Sequence, residues 1–399
     1  MDKNLEASSY VPRVLIAASE NWESLAELPY VLNKGGCIVD VFCSKGSWLT
    51  KNSFFHNWIE VNETNDLVES LIQRIKSFHY EWIILGDESL LKKFSNFNET
   101  EAFLKRVLPL TKIQNRKLLG SKIGLAQLCE KYNFDSPRTC TFNKKTDFIS
   151  TSCNLNFPVL LKTDLSWGGG GIIYCKDGNS LISSISKLSD QEEFLLQEFL
   201  PGEDIAVEAL FKEGRLLTFQ CSKVLEYQTN RFGSTISRLY FNNLVIEEII
   251  KNVGCKIGIN GFASMQFVGS NIDDKYYLIE VDLRPQAWIR YGDFTGANFS
   301  IGVKRFTGLL PLVGTSLQFS SSPKTIEVVL FHRFLISLII NKNLASLFRF
   351  IIRRDMWRFI PLYDKVLMKA ILNEVFSYTK RALFRRIVGN RFRTKNQPT

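Results

Sequence analysis

The stretch Ala263–Pro285, ASMQFVGSNIDDKYYLIEVDLRP, decides how this chain is read. Two runs rich in apolar and aromatic residues flank Asn271-Ile272-Asp273-Asp274, a turn-like composition, so the stretch reads as two antiparallel strands. Pairing about that turn brings Gln266 opposite Glu280, and the two-residue period of a strand puts Glu280, Asp282 and Arg284 on one face. Such a face is half of a magnesium site. Mg²⁺ prefers hard oxygen donors from one or two carboxylates and completes its shell with phosphate oxygens and water. Taken alone, the fragment also reads as an ordinary hairpin with a solvated charged face.

Two upstream segments point the same way. In FPVLLKTDLSWGGGGII (Phe157–Ile173), the buried-type run Val159-Leu160-Leu161 delivers Lys162, and Gly168, Gly169, Gly170 and Gly171 follow before an apolar strand resumes at Ile172. Consecutive glycines give up much backbone entropy, so a fold that keeps them needs positive φ or close approach of another group to main-chain N–H donors. A triphosphate is such a group, with the lysine as a point charge on its oxygens. A flexible hairpin turn is the plainer reading. In LLQEFLPGEDIAVEAL (Leu195–Leu210), a strand, a Pro-Gly turn and a second strand set Glu198 among apolar neighbours and Asp204 just past the turn. A carboxylate beside an apolar slot can accept from the exocyclic amine of adenine, and a second can bind ribose hydroxyls. A plain hairpin with acids facing water fits the same residues.

Lys162 with the glycine run, Gln197 to Asp204, and Gln266 with Glu280-Val281-Asp282-Leu283-Arg284-Pro285 resemble, in order and separation, the nucleotide and metal motifs of the ATP-grasp superfamily, most of all its carbamoyl phosphate synthetase and biotin carboxylase type. The likeness runs from about Lys112 to Gly308. It implies an α/β and α+β fold: an N-terminal parallel-sheet α/β domain (1–110), a linker helix and small lobe (111–200), a large lobe with the metal site (201–315) and a helical basic C-terminal region (316–399), the two α+β lobes sandwiching a nucleotide. It further implies that Lys122, in GSKIGLAQLCEKYNFDSP, and Lys162 contact ATP phosphates with the glycines, and that Glu198, Phe199 and Leu200 hold adenine. Asp204 would take ribose. Gln266, Glu280 and Asp282 would hold Mg²⁺, with Mn²⁺ an admissible substitute, and Arg284 would bind the transferred phosphate or acyl phosphate. The chain departs from the pattern at Asp282, where the family most often has Asn, and at Asp204, where Glu is usual, which leaves Glu203 as an alternative. Trp167 and Trp288 are bulky neighbours of the motifs.

In CSKVLEYQTNRFGSTISRLYF (Cys221–Phe241), the tight turn Gly233-Ser234-Thr235 is surrounded by Lys223, Arg231 and Arg238. In similar proteins the matching loop closes over the reacting acid, so Lys223, Arg231 and Arg290 are candidates for a substrate carboxylate, which the planar guanidinium matches. A surface basic cluster is the competing reading for each of them.

The remaining chain is consistent with this. An apolar fraction of 45% with 31 Phe in 399 residues describes a folded protein of two or three units. From Arg13, RVLIAAS reads as a buried strand, Glu20–Lys34 as a helix, Cys37–Cys43 as a strand, Asp66–Ser77 as a helix and Trp82–Gly86 as a strand, an alternation that implies a parallel sheet. Neither G-x-G-x-x-G after the first strand nor G-x-x-x-x-G-K-[ST] occurs, so dinucleotide and P-loop sites are unsupported. Ser19, Glu20 and Asn21, at the carboxyl end of the first strand, occupy the position where open α/β sheets bind ligands. The histidines 56, 79 and 332 form no ligand set; the eight cysteines show neither zinc nor disulfide spacing and the N-terminus lacks a signal-peptide core, which together predict a reducing cytoplasm.

Charge is concentrated at the end of the chain. Residues 331–399 hold fifteen Lys plus Arg and three acids, a net +12, against +10 for the whole chain, leaving about −2 for residues 1–330. Leu383, Phe384, Ile387 and Val388 recur at helical spacing among Arg381, Arg385, Arg386 and Arg393, the pattern of a basic amphipathic helix. It can lie on anionic lipid as a peripheral membrane contact, bind nucleic acid, or pack on the protein body. Phe334–Ile352 is apolar but broken by Lys342 and Arg349, unlike a membrane span.

The function this implies is an ATP-dependent carboxylate–amine ligase that activates an acid as an acyl phosphate with Mg·ATP and forms an amide from small-molecule substrates, with a homodimer admissible. A scaffold that binds ATP without turnover and uses its basic tail for membrane or nucleic acid is the alternative.

Overall fold

Strands fall into three sheets in this computed structural model, which describes residues 10–61, 66–150, 154–166, 168–228, 232–312, 325–341 and 344–393, the side chains of 149–150, 341, 344–345 and 382–393 lying outside that description. The first sheet is parallel, with β1 (Arg13–Ala17), β2 (Ile38–Cys43), β3 (Asn57–Glu60) and β4 (Trp82–Leu85) in the order β3-β2-β1-β4. Val14 to Ala17 are fully buried, as a parallel strand covered on both faces requires. The edge strand β3 is the one the sequence does not announce: it has four residues, the outer two exposed.

The helix expected from Glu20 starts only at Leu28 (Leu28–Lys34), after a 3-10 turn at Glu23–Leu25. The preceding loop is claimed by Asp87. Its buried carboxylate accepts from Ser19 N (2.6 Å), Ser19 Oγ (2.8 Å) and Glu20 N (3.1 Å), and caps helix Glu88–Ser95 through Leu90 N (2.9 Å). Asn21 Oδ1 is likewise engaged, accepting from Trp48 N at 2.9 Å. The loop after β1 is thus pinned to the helix after β4 at the carboxyl edge of the sheet.

The second sheet, β5 (Thr139–Phe142), β6 (Val159–Thr163), β7 (Ile172–Cys175) and β8 (Phe194–Glu198) in the order β5-β8-β6-β7, is antiparallel and has its own core of Phe142, Val159, Leu161, Leu181, Phe194 and Leu196. At Pro201-Gly202 the chain leaves it for the third sheet, so the strand–turn–strand pattern there is a crossing between sheets and no hairpin. The third sheet, β9 (Gly202–Lys212), β10 (Arg215–Tyr227), β11 (Thr235–Phe241), β12 (Gly261–Ser270), β13 (Tyr276–Asp282) and β14 (Ile326–Val329), runs β13-β12-β9-β10-β11-β14. The expected hairpin is β12–β13, with Gln266 opposite Glu280. Phe211, Phe219 and Phe267 of this sheet share one core with Leu15 and Leu85 of the parallel sheet.

The C-terminal region opens with a strand, β14, built onto β11, before helices Phe331–Asn341, Leu344–Ile352 and Lys365–Arg393. Phe334, Phe350, Phe359 and Leu367 pack with Trp48, Trp288 and Tyr291. No helix among the described residues is long and apolar enough to cross a membrane. The stripe Leu383, Phe384, Ile387 and Val388 lies on a helical backbone whose side chains fall outside the description.

The expectation of no disulfide is corrected at Cys140, which is disulfide-bonded, while Cys37, Cys43, Cys129, Cys175, Cys221 and Cys255 are free. Linear spacing cannot reveal a bridge whose geometry the fold supplies, and the cysteine pattern no longer bears on compartment.

Removing the Asp87 carboxylate strands four donors, three part-buried and one buried, so Asp87→Ala should lower unfolding free energy by about 3 kcal/mol, read from the midpoint shift in urea.

Candidate functional site

A cleft of about 380 Å³ opens between the second and third sheets, roofed by the loop after β1 and the start of helix Glu88–Ser95. Lys122, Lys162, Gly168, Gly169, Glu198, Phe199, Leu200, Asp204, Gln266, Glu280, Asp282 and Arg284 all line it. Strand register explains the convergence on the third sheet. Gln266 pairs with Ala206 on one side and Glu280 on the other, and Val268 pairs with Asp204, so these side chains share the cleft face. Glu203 is one residue off; it faces outward and pairs with Lys223. Asp204, held by the Tyr227 hydroxyl, is therefore the acid at this corner.

On the small-sheet side, β6 carries Lys162 into the cleft at 6% exposure. Burial pulls its ammonium down to about 8, Glu280 opposing and Lys122 adding to the shift. Lys122, at the start of helix Lys122–Tyr132, donates to Ser166 O (2.6 Å), Ser166 Oγ (3.1 Å) and Asp164 O (3.1 Å), and burial lowers its pKa as well. Gly168 and Gly169 adopt positive φ, 59° and 76°, and a Cβ on Gly169 would meet the Phe232 carbonyl at 2.2 Å. That close approach joins the glycine loop to the loop before β11 across the cleft mouth.

Gly170 and Gly171, expected at the nucleotide, do not border the cleft. Gly171 is spent on packing instead, since a Cβ there would lie 2.2 Å from both Ser166 Oγ and Thr163 Oγ1. Further along, Glu198 Oε1 accepts from Asn156 N at 2.8 Å and from Arg138 at 3.4 Å, and Phe199 packs edge-on to Tyr174.

The acids gather at the far end. Arg284 Nη2 lies 2.9 Å from Asp282 Oδ2 and 3.0 Å from Glu88 Oε1, with its guanidinium 4.5 Å from the Trp22 ring centroid. Gln286 donates to Asp282 at 2.7 Å. Burial pushes Asp282 up to about 8, against the pull of Arg284 and with Glu88 and Glu280 adding to the rise, and burial raises Glu280 too. Among the described residues no three or more His, Cys, Asp or Glu are grouped to hold a metal ion by themselves. Two half-buried carboxylates and the Gln266 amide, crowded by Glu88, nevertheless suit a hard divalent cation that takes its other ligands from phosphate.

The candidates for a substrate carboxylate are redistributed. Lys223 pairs with Leu239, across the strand from the cleft face, whereas the next pair, Val224 and Arg238, faces the cleft. Arg290 is also absent from the cleft: it lies 3.3 Å from half-buried Glu27 and packs over Tyr363 and Phe294. Arg231 lies outside the described residues, as does Trp167. Among the described residues the cleft guanidiniums are Arg284, Arg238 and Arg333. Arg238 donates to buried Glu208 at 2.5 Å and lies 4.3 Å from the Trp288 ring centroid. Arg333 binds Glu23 through Nε and Nη2, both at 2.7 Å. Ser19, Glu20 and Asn21 serve the loop, and their neighbours Trp22, Glu23 and Ser24 reach the cleft. The basic cluster around Gly233 held the signal for Arg238; nothing local marked Glu88 or Arg333.

Residues 120–288 match the family model of the ATP-grasp domain. The carbamoyl phosphate synthase large chain of Clostridium botulinum (strain Loch Maree / Type A3) is 25% identical over 174 residues, 41% of this chain and 16% of that one. The D-alanine–D-alanine ligase of Pelagibacter ubique is 26% identical over 163 residues, 38% of this chain and 53% of that one. The chain thus spans only part of the curated relatives it matches. Among solved structures, the biotin carboxylase domain of Hydrogenobacter thermophilus 2-oxoglutarate carboxylase, in complex with MgADP, ADP and bicarbonate, superposes with a TM-score of 0.53 at 14% identity, covering 74% of this chain and 69% of that one.

Because Lys162 is a desolvated cation, Lys162→Met should leave the ligand-free protein as stable as the parent at pH 7 or up to about 2 kcal/mol more stable. Urea unfolding checks this; a clear loss would show that attraction to Glu280 outweighs desolvation.

Proposed function

We propose that this ATP-grasp protein is an Mg·ATP-dependent, ADP-forming carboxylate–amine ligase. The observation that carries the reading is the convergence of Lys122, Lys162 and two positive-φ glycines with Gln266, Glu280, Asp282 and Arg284 around one cleft. The solved relative with MgADP bound supports the choice of nucleotide and metal.

In this reading Glu198, with the backbone of Leu200 and the ring of Phe199, receives the base, and Asp204 the ribose. Lys162 and Lys122 meet phosphate oxygens, joined by the amides of Gly168 and Gly169. Gln266, Glu280 and Asp282 would hold Mg²⁺, whose charge neutralises phosphate oxygens and relieves the crowding of half-buried acids. Arg284 is positioned to turn from Glu88 and Asp282 to the transferred phosphoryl group. Arg238 and Arg333 offer planar forks to the substrate carboxylate.

A carboxylate oxygen of the substrate attacks the γ-phosphorus, the bond to the β,γ-bridging oxygen breaks, and ADP and an acyl phosphate result. An amine then attacks the acyl carbon, loses a proton and expels phosphate. Phosphoryl transfer depends on positioning and charge neutralisation, so no covalent nucleophile on the protein is required. Cys221, the thiol of the third sheet, is buried and raised well above its usual range by that burial, which removes it as a nucleophile.

The test is an ADP-release screen with Mg·ATP against amino acids, short peptides and sugar acids. Glu280→Gln and Asp282→Ala should each cut acid-dependent release by about 100-fold or more with an unchanged circular-dichroism melt. Full turnover by both variants would rule out the metal assignment, and nucleotide binding with no release across the panel would favour a scaffold without turnover.

A further inference from the structure

Helix Leu344–Ile352 is held by Phe350 and, on one flank, by Arg349, whose Nη2 donates to Glu327 at 2.7 and 2.8 Å. Phe350 is buried against Phe334 and Phe331, with ring centroids 4.9 and 6.1 Å away, and this fixes the rotation of the helix. At about 100° per residue, Phe348 and Ile352 fall on the face opposite Phe350, with Ile351 and then Leu347 along the flank between them. Phe348 is 66%, Ile351 53% and Ile352 60% exposed. The following turn extends the surface with Trp357, 46% exposed, whose Nε1 donates to Phe350 O at 3.1 Å. None of these residues lines the cleft.

Soluble proteins scatter such side chains singly; a contiguous set marks an interaction surface. Its surroundings identify the partner. Arg354, Arg358, Lys365 and Lys369 are exposed nearby in the chain, and residues 344–381 contain eight Lys plus Arg against three acids. Exposed apolar side chains followed at once in the chain by exposed cations match a boundary where acyl chains lie beneath anionic headgroups. A second copy of this chain, meeting the same face two-fold, would oppose like charges. A nucleic-acid strand would leave the aliphatic Leu347, Ile351 and Ile352 without the stacking that such binding uses. The nine-residue helix is too short to span a bilayer, so it lies along the surface.

We propose that the face formed by helix Leu344–Ile352 and the turn after it docks on an anionic lipid surface, Phe348, Ile351, Ile352 and Trp357 entering the headgroup–acyl boundary and Arg354, Arg358 and Lys365 meeting lipid phosphates. Docking there would hold an ATP-dependent enzyme beside its membrane without occupying the cleft.

The test is flotation of the full chain with vesicles of phosphatidylcholine alone and with about 30% phosphatidylglycerol. The anionic vesicles should carry the protein, the neutral ones much less, and binding should weaken in high salt. The double variant Phe348→Ser, Ile351→Ser should lower the bound fraction by about tenfold with an unchanged melt, and Arg354→Glu, a second variant at an exposed site, should weaken it at low salt. Failure to bind anionic vesicles overturns the proposal, as does binding that both variants leave intact, which would assign it to the extreme C-terminus. A dimer detected by light scattering and lost in the double variant would give the face to a second copy. An RNA oligonucleotide that binds and is released by the same double variant would also overturn it.

Discussion

Arg284 draws together carboxylates that the chain keeps far apart: Asp282 at the end of β13 and Glu88 at the start of a helix in the N-terminal α/β unit. Among the described residues its Nε has no hydrogen-bond partner, and its face rests over Trp22 from a third segment. Burying this many charges costs several kcal/mol per ion unless each is compensated, and here compensation is incomplete, since burial still raises Glu280 and Asp282 and lowers Lys162. A core selected only for stability would replace such a cluster with apolar side chains. The proposed divalent cation and nucleotide phosphates would bring the charge the cluster lacks.

The surrounding architecture serves this cluster. Asp87 fixes the loop after β1 and the helix that offers Glu88 in a single set of hydrogen bonds, so the α/β unit is rigid where it meets the third sheet. The shared core of those two parts makes them one body. The small sheet, with a core of its own, joins that body through the Pro201-Gly202 crossing and the helix Lys122–Tyr132. The cleft therefore has one fixed wall bearing the acids and one separately packed wall bearing the lysines and glycines. Ligand-induced closure uses this kind of construction.

The C-terminal region is part of the same body rather than an appendage. β14 extends the third sheet, and Arg333, just beyond it, reaches the cleft to hold Glu23. Burial alone would raise Glu23, but the charge and hydrogen bond of Arg333 hold it below the usual carboxylate range. Both members of this pair line the cleft. The same region turns its unanchored apolar face outward, so one segment completes the site and presents a surface.

Sequence alone determined what depends on local period and order. Alternation along β12 and β13 placed Gln266 opposite Glu280 and aligned Glu280, Asp282 and Arg284, and the apolar runs located β1, β2, β4 and β6 with Lys162, because a strand's two faces are set by the chain itself. What required the tertiary structure was which face turns toward the cleft and which distant segments meet there. Lys223 and Arg238 look equivalent as a basic cluster, yet one-residue differences in register sent them to opposite faces of one sheet. Arg290 was lost to Glu27, Gly171 to Ser166, and Cys140 to a disulfide, all through contacts that spacing does not encode. Glu88 and Arg333 come from elements 196 and 98 residues from the partners they meet in the cleft, Arg284 and Thr235. Only the packing of sheets around a shared core could bring them within a hydrogen bond's length.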